Sequence, residues 1–193
     1  MKTFAYLLFS VGIGLLSVAC TQNKANSESS VISGQPRLEI TVDYEKQSGR
    51  GSNQYAVWIE DPEGSLVRTL FVTRFTAKGG YSYRPDCTPL WVGKANPSSM
   101  AKEKADAFTG ATPKSGSHTY TWDLKDDNGN NVAPGPYTFV VEGTLLGPSE
   151  VIFRSTIEIG GSSSMVEATP EYTSDSPDNK GMIKAVKASY FPE

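Results

Sequence analysis

The chain has 193 residues, with 18 basic against 21 acidic side chains, one histidine and two cysteines. A net charge of −3 with no basic cluster argues against nucleic acid as a partner. So few histidines and cysteines argue against a metal centre of the zinc type and against a Ser-His-Asp triad.

In chain order, Lys2 precedes an apolar run from Phe4 to Leu16, and Leu16-Ser17-Val18-Ala19-Cys20 follows. An apolar run this short, ended at once by polar Thr21-Gln22-Asn23-Lys24, reads as a signal peptide over residues 1–19 rather than a membrane-spanning helix. The segment ending at Cys20 resembles the bacterial lipobox, with Ser17 where leucine is more usual. That resemblance implies that Cys20 carries lipid and anchors the protein to a bacterial membrane. By the same resemblance, the lack of an acidic residue directly after Cys20 favours the outer membrane. Removing residues 1–19 takes away one lysine, so the net charge becomes −4. Residues 20–35 are rich in Ser, Asn and Gln and read as a flexible tether. With Cys20 acylated, Cys87 has no disulfide partner and reads as a packed or merely exposed cysteine rather than a redox-active one.

The remainder, residues 36–193, reads as one mostly β domain, an Ig-like sandwich of about seven or eight strands. Leu38, Ile40, Val42 and Tyr44 alternate with polar residues, as do Tyr55, Val57 and Ile59. The turn Asp61-Pro62-Glu63-Gly64 leads to an apolar, β-branched run from Leu66 to Arg74, so the first three strands read as a meander. Tyr120, Trp122 and Leu124 form another alternating set, closed by Asp126-Asp127-Asn128-Gly129, where Asn-Gly suits a tight hairpin turn. Further strands are expected at Tyr137–Val141, Val151–Ile159 and Ile183–Phe191, with residues 160–180 as a long connection before the last. Trp58 and Trp122 read as core.

The segment 75–116 is too long for a plain loop and too aromatic for a disordered one, with Tyr81, Tyr83, Trp91 and Phe108. It is expected to be an ordered flap with a short helix over Ser98–Phe108, capped by Asn96 ahead of Pro97. The stretch from Trp122-Asp123 through Asn128-Gly129 to Pro134-Gly135-Pro136-Tyr137 resembles a hairpin of Ig-like domains such as that of the flagellar hook-capping protein. Its acidic cluster reads as a turn and not a calcium loop, because Leu124 falls at the first ligand position.

The flap ends on Asp106-Ala107-Phe108-Thr109-Gly110-Ala111-Thr112. This resembles the Asp-x-x-Ser/Thr-Gly-Ala-Thr/Ser motif of ApbE-type flavin transferases, which join FMN through its phosphate to the last hydroxyl residue. The resemblance implies covalent FMN at Thr112, with Asp106, Thr109, Gly110 and Ala111 as recognition neighbours. The residue types suit the chemistry. A phosphoester needs an alcohol, Gly110 and Ala111 leave the backbone open, and Pro113 biases Thr112 toward extended geometry. Five constrained positions recur by chance in about one chain per thousand of this length. Tyr81, Tyr83 and Trp91 are the candidate wall for the flavin ring, Arg68 and Arg74 are candidate phosphate partners, and His118 reads as an outward residue at a strand start.

The whole arrangement, about residues 36–191, also resembles a family of predicted periplasmic proteins classed as a domain of unknown function. The resemblance is carried by Val57-Trp58-Ile59-Glu60-Asp61, Val67-Arg68-Thr69-Leu70, the Thr-Gly-Ala-Thr run and the tryptophan–aspartate segment. The chain departs from that pattern between Tyr81 and Val92, where Cys87 stands. Members are encoded near ApbE transferases and PepSY-type membrane proteins, which implies electron relay from a membrane reductase to an extracytoplasmic flavin. The protein is then an electron-transfer flavoprotein, with no catalytic residues for a substrate of its own. The alternative is a non-catalytic Ig-like lipoprotein that binds a protein or glycan partner.

Overall fold

The computed structural model describes residues 34–48, 51–147, 149–174 and 180–192. The expected signal peptide, Cys20 and all but the last two residues of the expected tether lie outside the described residues. The folded unit is mostly β. Its strands are β1 (Arg37–Tyr44), β2 (Gln54–Glu60), β3 (Leu66–Thr73), β4 (Thr109–Gly110), β5 (Gly116–Trp122), β6 (Gly135–Thr144), β7 (Glu150–Ile159), β8 (Ser164–Tyr172) and β9 (Ile183–Phe191). They hydrogen-bond in the single order β4-β3-β2-β6-β7-β8-β9-β1-β5, antiparallel throughout except for the short parallel pair β3–β4.

This order curls into a half-barrel around one core. Leu38, Ile40 and Val42 of β1, Val57 and Ile59 of β2, Phe139 and Val141 of β6 and Val186 of β9 all meet there, fully or almost fully buried. Period-two alternation in each strand produces that inner face. The architecture differs from the expected sandwich of seven or eight strands. Nine strands share one ladder, because β8 serves both halves: Ser164–Ala168 pair with β9, and Thr169–Tyr172 pair with β7.

Three local expectations are corrected. The first three strands are not a meander, since β1 pairs with β5 and β9 and never with β2. The expected connection at 160–180 contains β8, which sequence patterning misses because most of its side chains are exposed and only its backbone ladders hold it. The tryptophan–aspartate segment is not a hairpin between neighbouring strands. β5 and β6 lie in different halves of the sheet, and only a small turn bridges Lys125 to Asn131 within the arch between them. Asp126 accepts the Asn130 side-chain amide at 3.1 Å and the Asn130 and Asn128 backbone N–H groups at 2.8 Å, which hold its carboxyl below the usual range. Trp122 and Tyr137 pack edge-on at 5.2 Å at the two feet of the arch, so Trp122 is core as expected.

The flap is ordered because it covers the outer face of the sheet. It contains α1 (Arg74–Ala77), a 3-10 turn at Gly80–Ser82, α2 (Pro89–Ala95), a 3-10 turn at Pro97–Ser99 and α3 (Lys102–Phe108). Trp91, Ala77 and Phe108 pack there with Ala56, Trp58, Val72 and Val140. β2 is consequently buried at every position, with one face on the inner core and the other beneath the flap. The expected helix over Ser98–Phe108 starts later, at Lys102, because Met100 and Ala101 are extended. Asn96 sits in the left-handed region at φ 44° and closes the end of α2, its N–H donating to the Val92 carbonyl. Asparagine tolerates that conformation better than most residues.

A strand residue supplies what α2 lacks at its start. No side chain of Thr88 caps the helix, and the Glu142 carboxyl of β6 accepts the N–H groups of Leu90 at 2.9 Å and Trp91 at 2.8 Å. Burial raises the Glu142 carboxyl from 4.5 to about 8, against the lowering pull of those two N–H groups. The folded protein therefore holds this proton more tightly than the unfolded chain does. The stability it contributes is full below the unfolded value and is lost as pH rises through about 8. Thermal melts should show Tm falling across that window, with Glu150, also raised by burial, adding to the slope. Glu142→Gln should flatten the profile, and should lower stability by about 1–3 kcal/mol because one helix N–H loses its acceptor. A Tm slope unchanged in Glu142→Gln would refute the assignment.

Candidate functional site

The motif residues are mounted on the last turn of the flap. Phe108 enters the outer layer and packs edge-on against Trp91 at 6.1 Å, which turns the opposite side of α3 to solvent. Asp106 lies on that side, paired with Lys78 at 3.1 Å. Both are about half exposed, so the pair contributes little stability, of order 0–1 kcal/mol. The Thr109 hydroxyl donates to the Ala105 carbonyl at 2.6 Å and closes the helix. Thr109 and Gly110 then run parallel to β3, opposite Val72 and Thr73.

Gly110 is required by space. A Cβ there would stand 2.4 Å from Cε2 of Phe71, so the backbone lies directly on that ring. Ala111 is exposed and Thr112 half-buried. The Thr112 hydroxyl donates to the Asn53 carbonyl at 3.2 Å, just before β2 begins. Farther on, the Ser115 hydroxyl accepts the Lys46 N–H at 3.0 Å and donates to Glu45 at 3.2 Å, which fixes the far end of the connection to β5.

Residues 111–115 cross between the two ends of the strand order, from β4 to β5. Beneath this seam lies a group of rings that sequence reading did not assemble. Phe71 and Tyr120 sit 5.1 Å apart, Tyr55 and Phe71 5.0 Å, and Tyr44 and Tyr55 5.1 Å. The hydroxyls of Tyr55 and Tyr120 hydrogen-bond to each other. Burial raises the phenol of Tyr120 to about 12 and those of Tyr44 and Tyr55 further, so all three are neutral at physiological pH. The Tyr44 hydroxyl is buried with no hydrogen-bond partner among the described residues. His118 is half-buried, with Nε2 on the Lys114 carbonyl at 2.7 Å and its ring 6.4 Å from Tyr44.

The structure does not bring the expected ring wall together. Trp91 is 0% exposed in the outer core layer, and its indole N–H donates to Thr69 at 3.1 Å. It is a structural residue, unable to face a bound ring. Tyr83 is 88% exposed, and Tyr81 lies half-buried in the turn after α1. Arg68 is half-buried and donates to the Asp126 carbonyl of the arch at 2.9 Å. Arg74 is exposed at the head of α1, directly after the Thr73 that pairs with Gly110. Lys114 is also exposed, two residues beyond Thr112. Cys87 is fully buried, and burial raises its thiol to about 11, so it is a packed residue with little nucleophilic character. Among the described residues no group of three or more His, Cys, Asp or Glu side chains is placed to hold a metal ion.

Thr112 thus offers a half-buried alcohol at the end of the motif, Gly110 a backbone pressed on Phe71, and Arg74 and Lys114 two exposed cations on the flanking segments. Gly110→Ala should force Phe71 aside and lower stability by about 1–3 kcal/mol in urea unfolding. The double variant Gly110→Ala with Phe71→Leu should lose less than the sum of the two single changes. Strict additivity would mean that the two residues do not touch.

Residues 37–174 match the family model described as predicted periplasmic protein (DUF2271). No curated protein and no solved structure matches the chain. The match spans β1 to β8, including the flap, the Thr-Gly-Ala-Thr run and the arch. A periplasmic family supports a location outside the cytoplasm. By sequence, then, and over most of its length, this chain belongs to the DUF2271 family of predicted periplasmic proteins.

Proposed function

We propose that the protein is an extracytoplasmic flavoprotein. It carries FMN esterified to Thr112 by an ApbE-type transferase and relays electrons from a PepSY-type or similar membrane reductase. The observation that carries this reading is the placement of Thr112. The residue is half-buried at the end of the motif, outside both core clusters, and its hydroxyl donates one hydrogen bond to the main-chain carbonyl of Asn53. A threonine sealed in the core would have ruled the reading out. Asp106, Thr109, Gly110 and Ala111 surround it as recognition neighbours, with the Asp106 carboxylate on the outer side of α3.

In the modification, the Thr112 Oγ1 forms a bond to the flavin-side phosphorus of a flavin dinucleotide as the P–O bond to the second phosphate breaks and a nucleoside monophosphate leaves. The hydroxyl proton passes to the transferase. Once bound, FMN supplies the redox chemistry, and this chain supplies position, surroundings and tether. Acylated Cys20, the lipid anchor and an outer-membrane placement belong to the same proposal and rest on the N-terminal sequence. So does the Ig-like comparison, which rests on two facing halves that enclose one core.

The second reading is a non-catalytic module that binds a protein or glycan. It is favoured by a groove of about 560 Å³ where β8 changes partners, lined by Thr41, Asp43, Glu167, Thr169 and Lys187 among others. Hydroxyls and charges of both signs suit a polar partner.

The test is the intact mass of protein co-expressed with an active flavin transferase in a periplasm. The wild-type chain should gain one FMN less one water, Thr112→Ser should gain the same, and Thr112→Val should gain nothing. No gain in the wild type, with the transferase active on another acceptor, leaves the binding module as the reading.

A further inference from the structure

We propose that the patch formed by Phe75, Tyr83 and Leu146 docks the protein on an anionic phospholipid surface. The inference goes beyond the reading of Thr112 and does not depend on it. Five large hydrophobic side chains are exposed among the described residues, and three of them meet here: Tyr83 at 88%, Phe75 at 43% and Leu146 at 40%. Arg84 gathers them. Its guanidinium lies 5.9 Å over the Phe75 ring centroid and donates to the Leu145 carbonyl, and the residue directly follows Tyr83. Single exposed hydrophobic residues are ordinary, whereas a group of them marks an interaction site.

The chemistry of the patch selects lipid as its occupant. The patch stands at the end of the sheet where β3 and β6 finish and β2 and β7 begin. An aromatic ring that projects into solvent beside aliphatic surface, with cations around it, matches the apolar and headgroup layers of a bilayer surface. Arg74 and Lys78 are exposed on α1 on either side of Phe75 in the chain, and Lys46 and Lys114 are exposed at the same end of the sheet. The Asp86 and Asp106 carboxylates are paired with Arg84 and Lys78, so Arg74 has no acidic partner among the described residues. Such cations are drawn to an anionic leaflet even though the whole chain carries −3. The lipid anchor expected at Cys20 makes weak binding sufficient, because it raises the local concentration of the surface. Residues 20–33 have an extended reach of about 46–50 Å, against a length of about 33 Å for ten-residue β6, so the tether is long enough for the patch to touch the anchoring membrane. Docking would also bring Thr112 close to that membrane. Its hydroxyl bonds to Asn53, and Arg84 donates to the adjacent Ser52 hydroxyl at 3.0 Å.

The test is co-sedimentation of the chain from residue 20 onward, carrying Cys20→Ser so that no acyl group contributes, with vesicles of phosphatidylethanolamine and phosphatidylglycerol. This reference chain should bind them, should bind phosphatidylcholine vesicles more weakly, and should lose affinity as salt rises. Tyr83→Ser combined with Leu146→Ser should weaken binding about tenfold or more, the scale set by two apolar side chains. Met165→Ser, in β8 at the other end of the sheet, should change nothing. In a Tyr83→Trp chain the emission should shift to the blue on binding, against a constant background from the sealed Trp58, Trp91 and Trp122. Should Leu146→Ser disturb folding, Tyr83→Ser alone decides, since so exposed a side chain supports little beneath it. A reference chain that stays in solution overturns the proposal, and a dimer broken by Tyr83→Ser would then assign the patch to a second copy. Equal binding to phosphatidylcholine, unchanged binding in the double variant, or Tyr83→Trp emission that bound vesicles leave unmoved also overturns it. Flavin loading at Thr112 is read separately by intact mass, so either proposal can fail without the other.

Discussion

The edge-on contact between Phe108 and Trp91 anchors the candidate site to the rest of the molecule. Trp91 is sealed between the flap and the outer face of β2, β3 and β6, and an indole buried in this way contributes about 4–6 kcal/mol by area. Phe108 is the last residue of α3 and the residue before Thr109, so the fixed ring determines where the Thr-Gly-Ala-Thr run begins. From there the parallel pairing with β3 sets Gly110 on Phe71, and Thr112 arrives at the start of β2. Loss of the outer layer would leave the Thr-Gly-Ala-Thr run on an unattached loop.

The same layer explains why a polar flap holds its shape. Its helices are short, and isolated helices of this length are unstable in water. Tertiary contacts replace what length does not supply. Glu142 caps α2 from the sheet, Gln54 accepts the hydroxyls of Thr73 and Thr76 where β3 passes into α1, and Glu60 of β2 pairs with Lys94 of α2 at 3.3 Å. Buried polar groups of this kind are costly when unpaired, so each one selects a single placement of the flap.

Electrostatics and packing divide the seam between them. Neutral phenols line its interior, while Arg74 and Lys114 on the flanking segments are exposed.

Much of this was already legible in the amino-acid order. Period-two alternation marks the inner faces of β1, β2, β5, β6, β7 and β9, because side chains of a strand alternate whatever it pairs with. The turns at Gly64 and Gly129 and the Asp106–Thr112 motif are likewise local chemistry. The tertiary structure alone decided which strands are neighbours, that β8 exists, that Trp91 is sealed and that Phe71, Tyr55 and Tyr120 meet under Gly110. Alternation tells which side chains turn inward but not what they turn toward. β8 has almost no buried side chains to reveal it, and Phe71 and Tyr120 stand on opposite ends of a sheet that must curl before they touch.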